Sequence, residues 1–422
     1  MMKKERLFAL ILSLALGAGL LSGCSGGDSS SGGSSTGSSS SGASSSEGTE
    51  NSGPEPMDLS AVTDPYLATA GVAGDAVVAT TGEYEIQAAD YLYWLNRAAE
   101  SYLSQISAFG LTELPWDMEM GEGVTLESMV VQTALETAAL FRLMPELGAA
   151  EGLSISQEAL DEMNGQLAEL GAEGQEREHR LWYQMMTSEL YARLYQQLEF
   201  YAQLQELYYG QNSEDYPTDA EVLAYAQDQM GVYRAKHILL LTKDLSQTVT
   251  NEDGTTGYAP LDDAVIAEKR VLADELLAQL RAAEDPIALF DELMNQYSED
   301  SGLAANPDGY TTYKGYMVSE FEETALALKD GEISDVVESV YGYHIILRLP
   351  LDPADYRADM VAGLMEERAN QWLAENAIQT NETFDRISPP EYLEQVLSLQ
   401  TAVAEEVNAG QEESRTTSEG QG

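Results

Sequence analysis

Apolar positions change their spacing several times along this chain, and each change marks a different kind of segment. Leu7 to Leu21 is an almost unbroken apolar run. From Ser25 to about Pro56 apolar residues nearly vanish. Between residues 70 and 231 they return at steps of three and four, the period of a helix with one buried face. A short strand is expected around Ala76–Thr80. Helices are expected at Gln87–Ala108, Leu126–Glu151, Ser156–Leu170, Glu176–Tyr209 and Thr218–Met230, the last with a start signal in Pro217 and Thr218. The helix from Glu176 carries Leu190, Leu194, Leu198, Tyr201, Leu204 and Tyr208 at helical steps, beside Trp182, Met185 and Met186. That stripe reads as core, or as a groove for apolar polypeptide.

At Tyr233 the period shifts. Tyr233–Leu241 is a continuous apolar strand interrupted only by Lys236 and His237. A polar loop with Gly254 and Gly257 follows, then helices at Leu261–Ala283 and Ile287–Tyr297. Ser298–Gly309 reads as a loop and Phe321–Leu328 as a short helix ended by Gly331. Val336–Glu338 and Tyr343–Leu349 read as strands. The order strand, helices, strand, strand is that of a compact α+β unit. A further helix is expected at Pro353–Ala377, and the acidic segment 388–422 is expected to lack stable structure.

Composition narrows the function. The chain has 422 residues, with 72 acidic against 21 basic ones and a net charge of −51. A surface so negative repels phosphate backbones, so nucleic acid is excluded as a partner. Cys24 is the sole cysteine, which rules out an intramolecular disulfide or a thiolate zinc cluster.

That cysteine sits in a telling place. Lys3, Lys4 and Arg6 precede the apolar run, which is short for a membrane span. The run ends in Leu21-Ser22-Gly23-Cys24, which resembles a bacterial lipobox. Such signals are cut before the cysteine, and its sulfur receives a diacylglycerol. Residues 1–24 are therefore expected to be a lipoprotein signal peptide, and the mature chain to be extracytoplasmic and lipid-anchored to the cell membrane through Cys24. The Ser/Gly-rich stretch 25–56 is expected to be a tether with a mean reach of roughly 30 Å.

Three segments of the α+β unit together resemble the parvulin family of peptidyl-prolyl cis/trans isomerases. The first is Arg234-Ala235-Lys236-His237-Ile238-Leu239. The second is Tyr297-Ser298-Glu299-Asp300-Ser301 with Gly315-Tyr316-Met317-Val318-Ser319-Glu320-Phe321. The third is Lys329-Asp330-Gly331-Glu332-Ile333-Ser334, running on to Tyr341-Gly342-Tyr343-His344-Ile345-Ile346. The resemblance implies a parvulin domain at 233–350, a small antiparallel sheet with flanking helices. It would be inserted in a helical chaperone-like module made of residues 70–231 and 353–380, as in extracytoplasmic foldases.

The resemblance also implies roles. His237, Asp300 and His344 match the catalytic positions, the two histidines lying on adjacent strands and bonding to each other. Only three histidines occur in the chain, and His179, in a Glu-Arg-Glu-His-Arg run, reads as a solvated helix residue. Met317 and Phe321 match the proline pocket. The family's usual Leu-Gly-x-Phe before the pocket Met is replaced by Gly309-Tyr310-Thr311-Thr312-Tyr313, with Thr312 where an aromatic belongs. Tyr310 or Tyr313 is the candidate for the missing ring. The partners implied are unfolded or newly secreted polypeptides with Xaa-Pro bonds, and no metal or cofactor is called for. The alternative is a holdase chaperone whose parvulin fold is weakly active or inactive, which the Thr312 departure favours.

If the lipobox is read correctly, Cys24→Ala yields unprocessed or shed protein without lipid labelling, as metabolic fatty-acid labelling would record. Continued acylation of that variant contradicts the reading.

Overall fold

The computed structural model describes residues 54–419, apart from 109, 122 and 251–253. The signal-peptide segment with Cys24, and residues 25–53 of the expected tether, lie outside the described residues. Among the described residues no helix is long and apolar enough to cross a membrane.

Packing divides the chain into two units. One is Pro217–Val361; the other comprises the chain up to Tyr216 together with Ala362 onward. The second unit is thus interrupted in sequence by the first. Its helices Ala88–Ser107, Leu126–Ala150 and Ser188–Tyr209 bury Leu92, Trp94, Leu140, Phe141, Leu194 and Tyr201. Trp94 stacks on Phe141 at 4.9 Å between ring centroids, so the apolar stripe read from the sequence is largely core. A three-stranded antiparallel sheet joins Val77–Thr81 to Tyr84–Gln87 on one side and to Ile378–Thr380 on the other.

Three expectations fail in this unit or at its border. The single helix expected from Glu176 to Tyr209 is two, Gln175–Trp182 and Ser188–Tyr209. The chain turns at Met185, whose φ of 54° is left-handed, and Thr187 caps the second helix by accepting from the Leu190 N–H. The apolar period runs through the break because Met185 and Met186 are fully buried in the turn itself. His179 is not solvated; it is buried, with Nδ1 2.6 Å from the Glu406 carboxylate. The acidic segment expected to be unstructured forms the helix Pro389–Glu419. Its buried face carries Tyr392, Val396, Leu399, Ala402 and Val403, and the Tyr392 hydroxyl donates to the Leu92 carbonyl at 2.8 Å. Seven acidic residues give the segment its polar look, yet apolar ones gather on one helical face, and burial of that face decides the outcome.

The Pro217–Val361 unit is the α+β element. It begins earlier than expected: the helix Asp219–Asp228, started by a capping box of Thr218 and Glu221, packs Val222 and Ala226 against Val232, Leu351 and Tyr356. Its sheet has four antiparallel strands in the order Tyr310–Tyr313, Val232–Leu241, Gly342–Leu349, Val337–Glu338. Alternation sorts the two central strands into faces. Ile238, Leu240, Tyr343, Ile345 and Leu347 point to one face and pack on Leu276, Leu280, Phe290 and Met294 of the helices Asp263–Ala282 and Pro286–Tyr297. Tyr233, Ala235 and Ile346 point to the other, against Phe321 and Ala325 of the short helix Ser319–Ala327. His237, Leu239 and His344 belong to that second face. The segment read as a polar loop is a hairpin, Lys243–Thr250 with Thr256–Pro260. Its Ser- and Thr-rich composition hid the strands.

Truncating Tyr392 to Ala should destabilise the protein by about 3–5 kcal/mol, the usual cost of deleting a buried aromatic side chain. The exposed Glu394→Ala should change stability by no more than about 0.5 kcal/mol. Urea denaturation of both variants checks this, and equal effects would contradict the docked helix.

Candidate functional site

The site grows from the pairing of the two central strands. His237 lies opposite Ile346, and His344 opposite Leu239. The two histidines are thus diagonal neighbours on one face, close enough for long side chains to meet. Their rings lie nearly parallel, with His237 Nδ1 3.0 Å from His344 Nδ1. Gly342 lets the closing strand approach this closely: a Cβ there would sit 2.1 Å from the Leu240 carbonyl oxygen.

Asp300 arrives from the loop after the helix Pro286–Tyr297. That loop is fastened to the free side of the first strand. The Glu299 N–H donates to the Leu239 carbonyl at 2.8 Å, and the Leu239 N–H to Ser298 Oγ at 3.1 Å. Asp300 Oδ2 then lies 2.9 Å from His237 Nε2 and accepts from the Tyr310 hydroxyl at 2.5 Å. Its Oδ1 accepts from the Gly302 N–H at 2.9 Å. A Cβ at Gly302 would fall 2.2 Å from the Tyr310 hydroxyl, so a larger residue there would displace the tyrosine.

These contacts order the protons. Hydrogen bonds, first from His237 and then from Tyr310 and the Gly302 N–H, outweigh desolvation and hold the Asp300 carboxyl well below the usual carboxylate range. It is an anion and accepts only. Burial, then the carboxylate, push the Tyr310 hydroxyl well above the usual tyrosine range, so it remains a donor. Burial, reinforced by His237 and opposed by Asp300, lowers His344 to about 3, so that ring is neutral. Since Asp300 only accepts, His237 Nε2 carries a proton, and the neutral His344 ring is assigned the tautomer that completes the chain. His237 donates from Nε2 to Asp300 and accepts at Nδ1 from the His344 Nδ1–H. His344 Nε2 accepts from Ser339 Oγ, 2.7 Å away. Ser339 Oγ in turn accepts the Tyr341 N–H at 3.1 Å.

Above this chain lies a cavity of about 420 Å³. The rings of Tyr310 and Phe321 meet His237 edge-on, at 5.8 and 5.2 Å between centroids. Phe321 is buried, and Met317 packs beside it. His237, Asp300, His344, Met317, Phe321 and Tyr310, all read from the sequence, are brought together around this cavity. Tyr313 is not. It sits on the opposite face of its strand, half exposed, beside Tyr316. Tyr310 supplies the ring, and Thr312 is buried in the sheet opposite Tyr233. Strand alternation explains why: Tyr310 faces the cavity and Tyr313, an odd step away, cannot.

Sequence reasoning missed Ser339, which lies in a short Ser-Val-Tyr-Gly turn with no signal of its own. It also missed the cavity's second wall, formed by Leu241, Leu245, Tyr258 and Tyr341. Among the described residues no group of three or more His, Cys, Asp or Glu side chains could hold a metal ion.

Residues 237–349 match the family described as "Rotamase: PPIC-type PPIASE domain". This segment is a parvulin-type domain. Curated proteins match parts of this chain. "Foldase protein PrsA 3" of Bacillus cereus is 29% identical over 164 residues, 37% of this chain and 56% of that protein. "Foldase protein PrsA" of Halalkalibacterium halodurans is 43% identical over 84 residues, 20% of this chain and 24% of that one. "Foldase protein PrsA" of Bacillus subtilis is 30% identical over 161 residues, 38% and 44% respectively. The chain therefore spans between a quarter and just over half of the length of these relatives. The crystal structure of PrsA from Bacillus subtilis aligns with 60% of this chain and 85% of that one at 19% identity. Its TM-score of 0.22 is too low to carry an argument. Every residue of the polar chain lies inside the matched segment, and His237 is its first residue.

The buried neutral His344 has a consequence for stability. Between about pH 6.5 and about pH 3 the unfolded chain binds a proton on this ring that the folded domain refuses. Stability is therefore lost as pH falls through that window, by up to about 1.4 kcal/mol per pH unit. The depressed Asp300 acts in the same direction below its ordinary range. Thermal unfolding of the wild type should fall more steeply between pH 6.5 and 4 than that of His344→Gln. Parallel curves would contradict the assignment.

Proposed function

We propose that this protein is a peptidyl-prolyl cis/trans isomerase and foldase, acting on unfolded or newly secreted polypeptides that contain Xaa-Pro bonds. The observation that carries the reading is the junction of an apolar cleft with an ionised carboxylate held by a fixed proton chain. Phe321, Met317, Tyr310 and His237 form a cleft suited to a pyrrolidine ring, and Asp300 lies at its edge.

The chemistry follows from the bond. Amide resonance sets a barrier of about 18–20 kcal/mol and slows the uncatalysed X–Pro rotation to tens or hundreds of seconds. Resonance places negative charge on the carbonyl oxygen and positive charge on nitrogen. The twisted transition state loses both. A largely apolar cleft favours the less polar twisted amide, and a fixed anion beside the carbonyl opposes the resonance form. The proline ring is held while the carbonyl side turns, and no covalent bond is made. His237, Tyr310 and the Gly302 N–H keep Asp300 ionised and stationary. Ser339 and His344 keep His237 in the tautomer that does so. The role of the histidines is to position the anion.

The buried Thr312 does not favour the holdase alternative, because the ring it lacks is supplied by Tyr310. The lipobox resemblance supports an extracytoplasmic site of action, with the chain lipid-anchored at Cys24. The helical unit would then present clients to the parvulin-type domain.

Asp300→Asn keeps the size of the side chain and removes its charge. It should lower kcat for an Xaa-Pro peptide by roughly 10- to 100-fold with little change in KM. A protease-coupled or NMR exchange assay checks this. Unchanged kcat would remove Asp300 from the mechanism.

A further inference from the structure

The cavity is longer than a proline ring requires. His237, Leu239 and Leu241 share one face of the first strand, and all three line it. Four residues of extended chain separate the ends of that row, a span of about 14 Å. Tyr310, Met317 and Phe321 gather at the His237 end. Beyond the Leu241 end the chain enters the hairpin Lys243–Pro260, which contributes Leu245 and Tyr258 to the wall. Tyr258 lies 6.1 Å from Tyr341 between ring centroids.

The hairpin is built to aim Leu245. Its register breaks between Asp244 and Thr248: Asp244 pairs with Ala259 and Thr248 with Tyr258, leaving Leu245, Ser246 and Gln247 unpaired. Such a bulge bends a strand and redirects its side chains. Asp244 pins it, accepting from the Ser246 N–H at 3.0 Å, the Ser246 hydroxyl at 2.6 Å and Gln247 Nε2 at 2.5 Å. The turn is thus formed before any ligand arrives. Yet Leu245 is 40% exposed and Tyr258 36% exposed. Two apolar side chains are held at a cavity wall with nothing covering them.

Charge limits what could cover them. The titratable groups lining the cavity are His237, His344, Asp300, Glu299 and tyrosines; no Lys or Arg lines it. Glu299 is already engaged, by the Leu241 N–H at 2.7 Å and by the Lys269 ammonium. An acidic or phosphorylated side chain would meet two carboxylates and no Lys or Arg in the lining, the nearby Lys269 being paired with Glu299.

We propose that the hairpin is a specificity arm: Leu241, Leu245, Tyr258 and Tyr341 form a second, apolar subsite that receives a large apolar side chain flanking the proline. This rests on the isomerase reading of the cavity, which it deepens by naming the preferred sequence. The subsite selects by burial, so the preference is for Phe, Leu or Met and against Ala, and most strongly against Glu or phosphoserine.

The test uses the full chain and two peptide series, Xaa-Pro and Pro-Xaa, with Xaa as Phe, Leu, Ala or Glu. Turnover is measured by NMR exchange, and binding separately by anisotropy of labelled peptides. In one of the two series the wild type should favour Phe over Ala by roughly tenfold, the range an apolar pocket can discriminate. Leu245→Ser with Tyr258→Ser should bring that ratio close to one. Leu245→Met with Tyr258→Phe should preserve it, since apolar surface and not the hydroxyl is what selects. Turnover without any Phe preference, or a preference that survives the double Ser variant, overturns the subsite and leaves the isomerase reading intact. A Phe preference in binding that the double Ser variant abolishes, with no turnover of any peptide, upholds the subsite and removes the isomerase reading.

Discussion

The antiparallel register between Val232–Leu241 and Gly342–Leu349 is the constraint on which the rest of this domain depends. It sets Ile346 opposite His237 and Leu239 opposite His344, so the two imidazoles meet on the diagonal. A slip of one residue would turn His344 toward the helix-packed face, among Leu276, Leu280 and Phe290. The register is in turn held by burial on both faces. The helices Asp263–Ala282 and Pro286–Tyr297 cover one side, and the helix Ser319–Ala327 covers part of the other. The closing strand is buried along nearly its whole length. A site of polar groups is thus carried by the most apolar part of the unit.

What makes that tolerable is that each side-chain polar atom of this one hydrogen-bonded network has a partner. Ser339, His344, His237 and Asp300 are linked end to end, with Tyr341, Tyr310 and Gly302 closing the remaining positions. An incomplete network of this kind is costly in a low-dielectric interior, and a complete one is rigid. In the proposed mechanism that rigidity keeps a carboxylate ionised and immobile beside an apolar cleft. The same burial that orders the network makes the domain sensitive to acid, because His344 must be neutral to fit.

Much of this was legible from residues alone, for identifiable reasons. The paired histidines stood out because the chain has few, and two of them head Ile-rich strands. Asp300, Met317 and Phe321 lay in segments whose order resembled a known family. The start of the helix Asp219–Asp228 was visible in Pro217 and Thr218. Other features were hidden by competing physics. The break at Met185 leaves the apolar period undisturbed, since the turn residues are themselves buried. The hairpin Lys243–Pro260 owes its pairing to backbone bonds and an Asp244 turn, and its polar residues read as loop. The helix from Pro389 looked too acidic to pack, yet Tyr392, Val396, Leu399 and Val403 fall on one face. Tyr310 and Tyr313 could not be separated until the strand they share had a face toward the cleft.

The account stands on one claim, that the cleft above the His237–Asp300 contact lowers the barrier to rotation about an Xaa-Pro bond. The most direct measurement is proton exchange spectroscopy on a peptide with one Phe-Pro bond, using substoichiometric full-length protein. Uncatalysed interconversion takes tens to hundreds of seconds, so without catalysis no cis–trans cross-peaks arise at sub-second mixing times. The account predicts such cross-peaks, growing in proportion to protein concentration. Cis and trans signals that stay uncoupled at every protein concentration, while the peptide still binds, would contradict it.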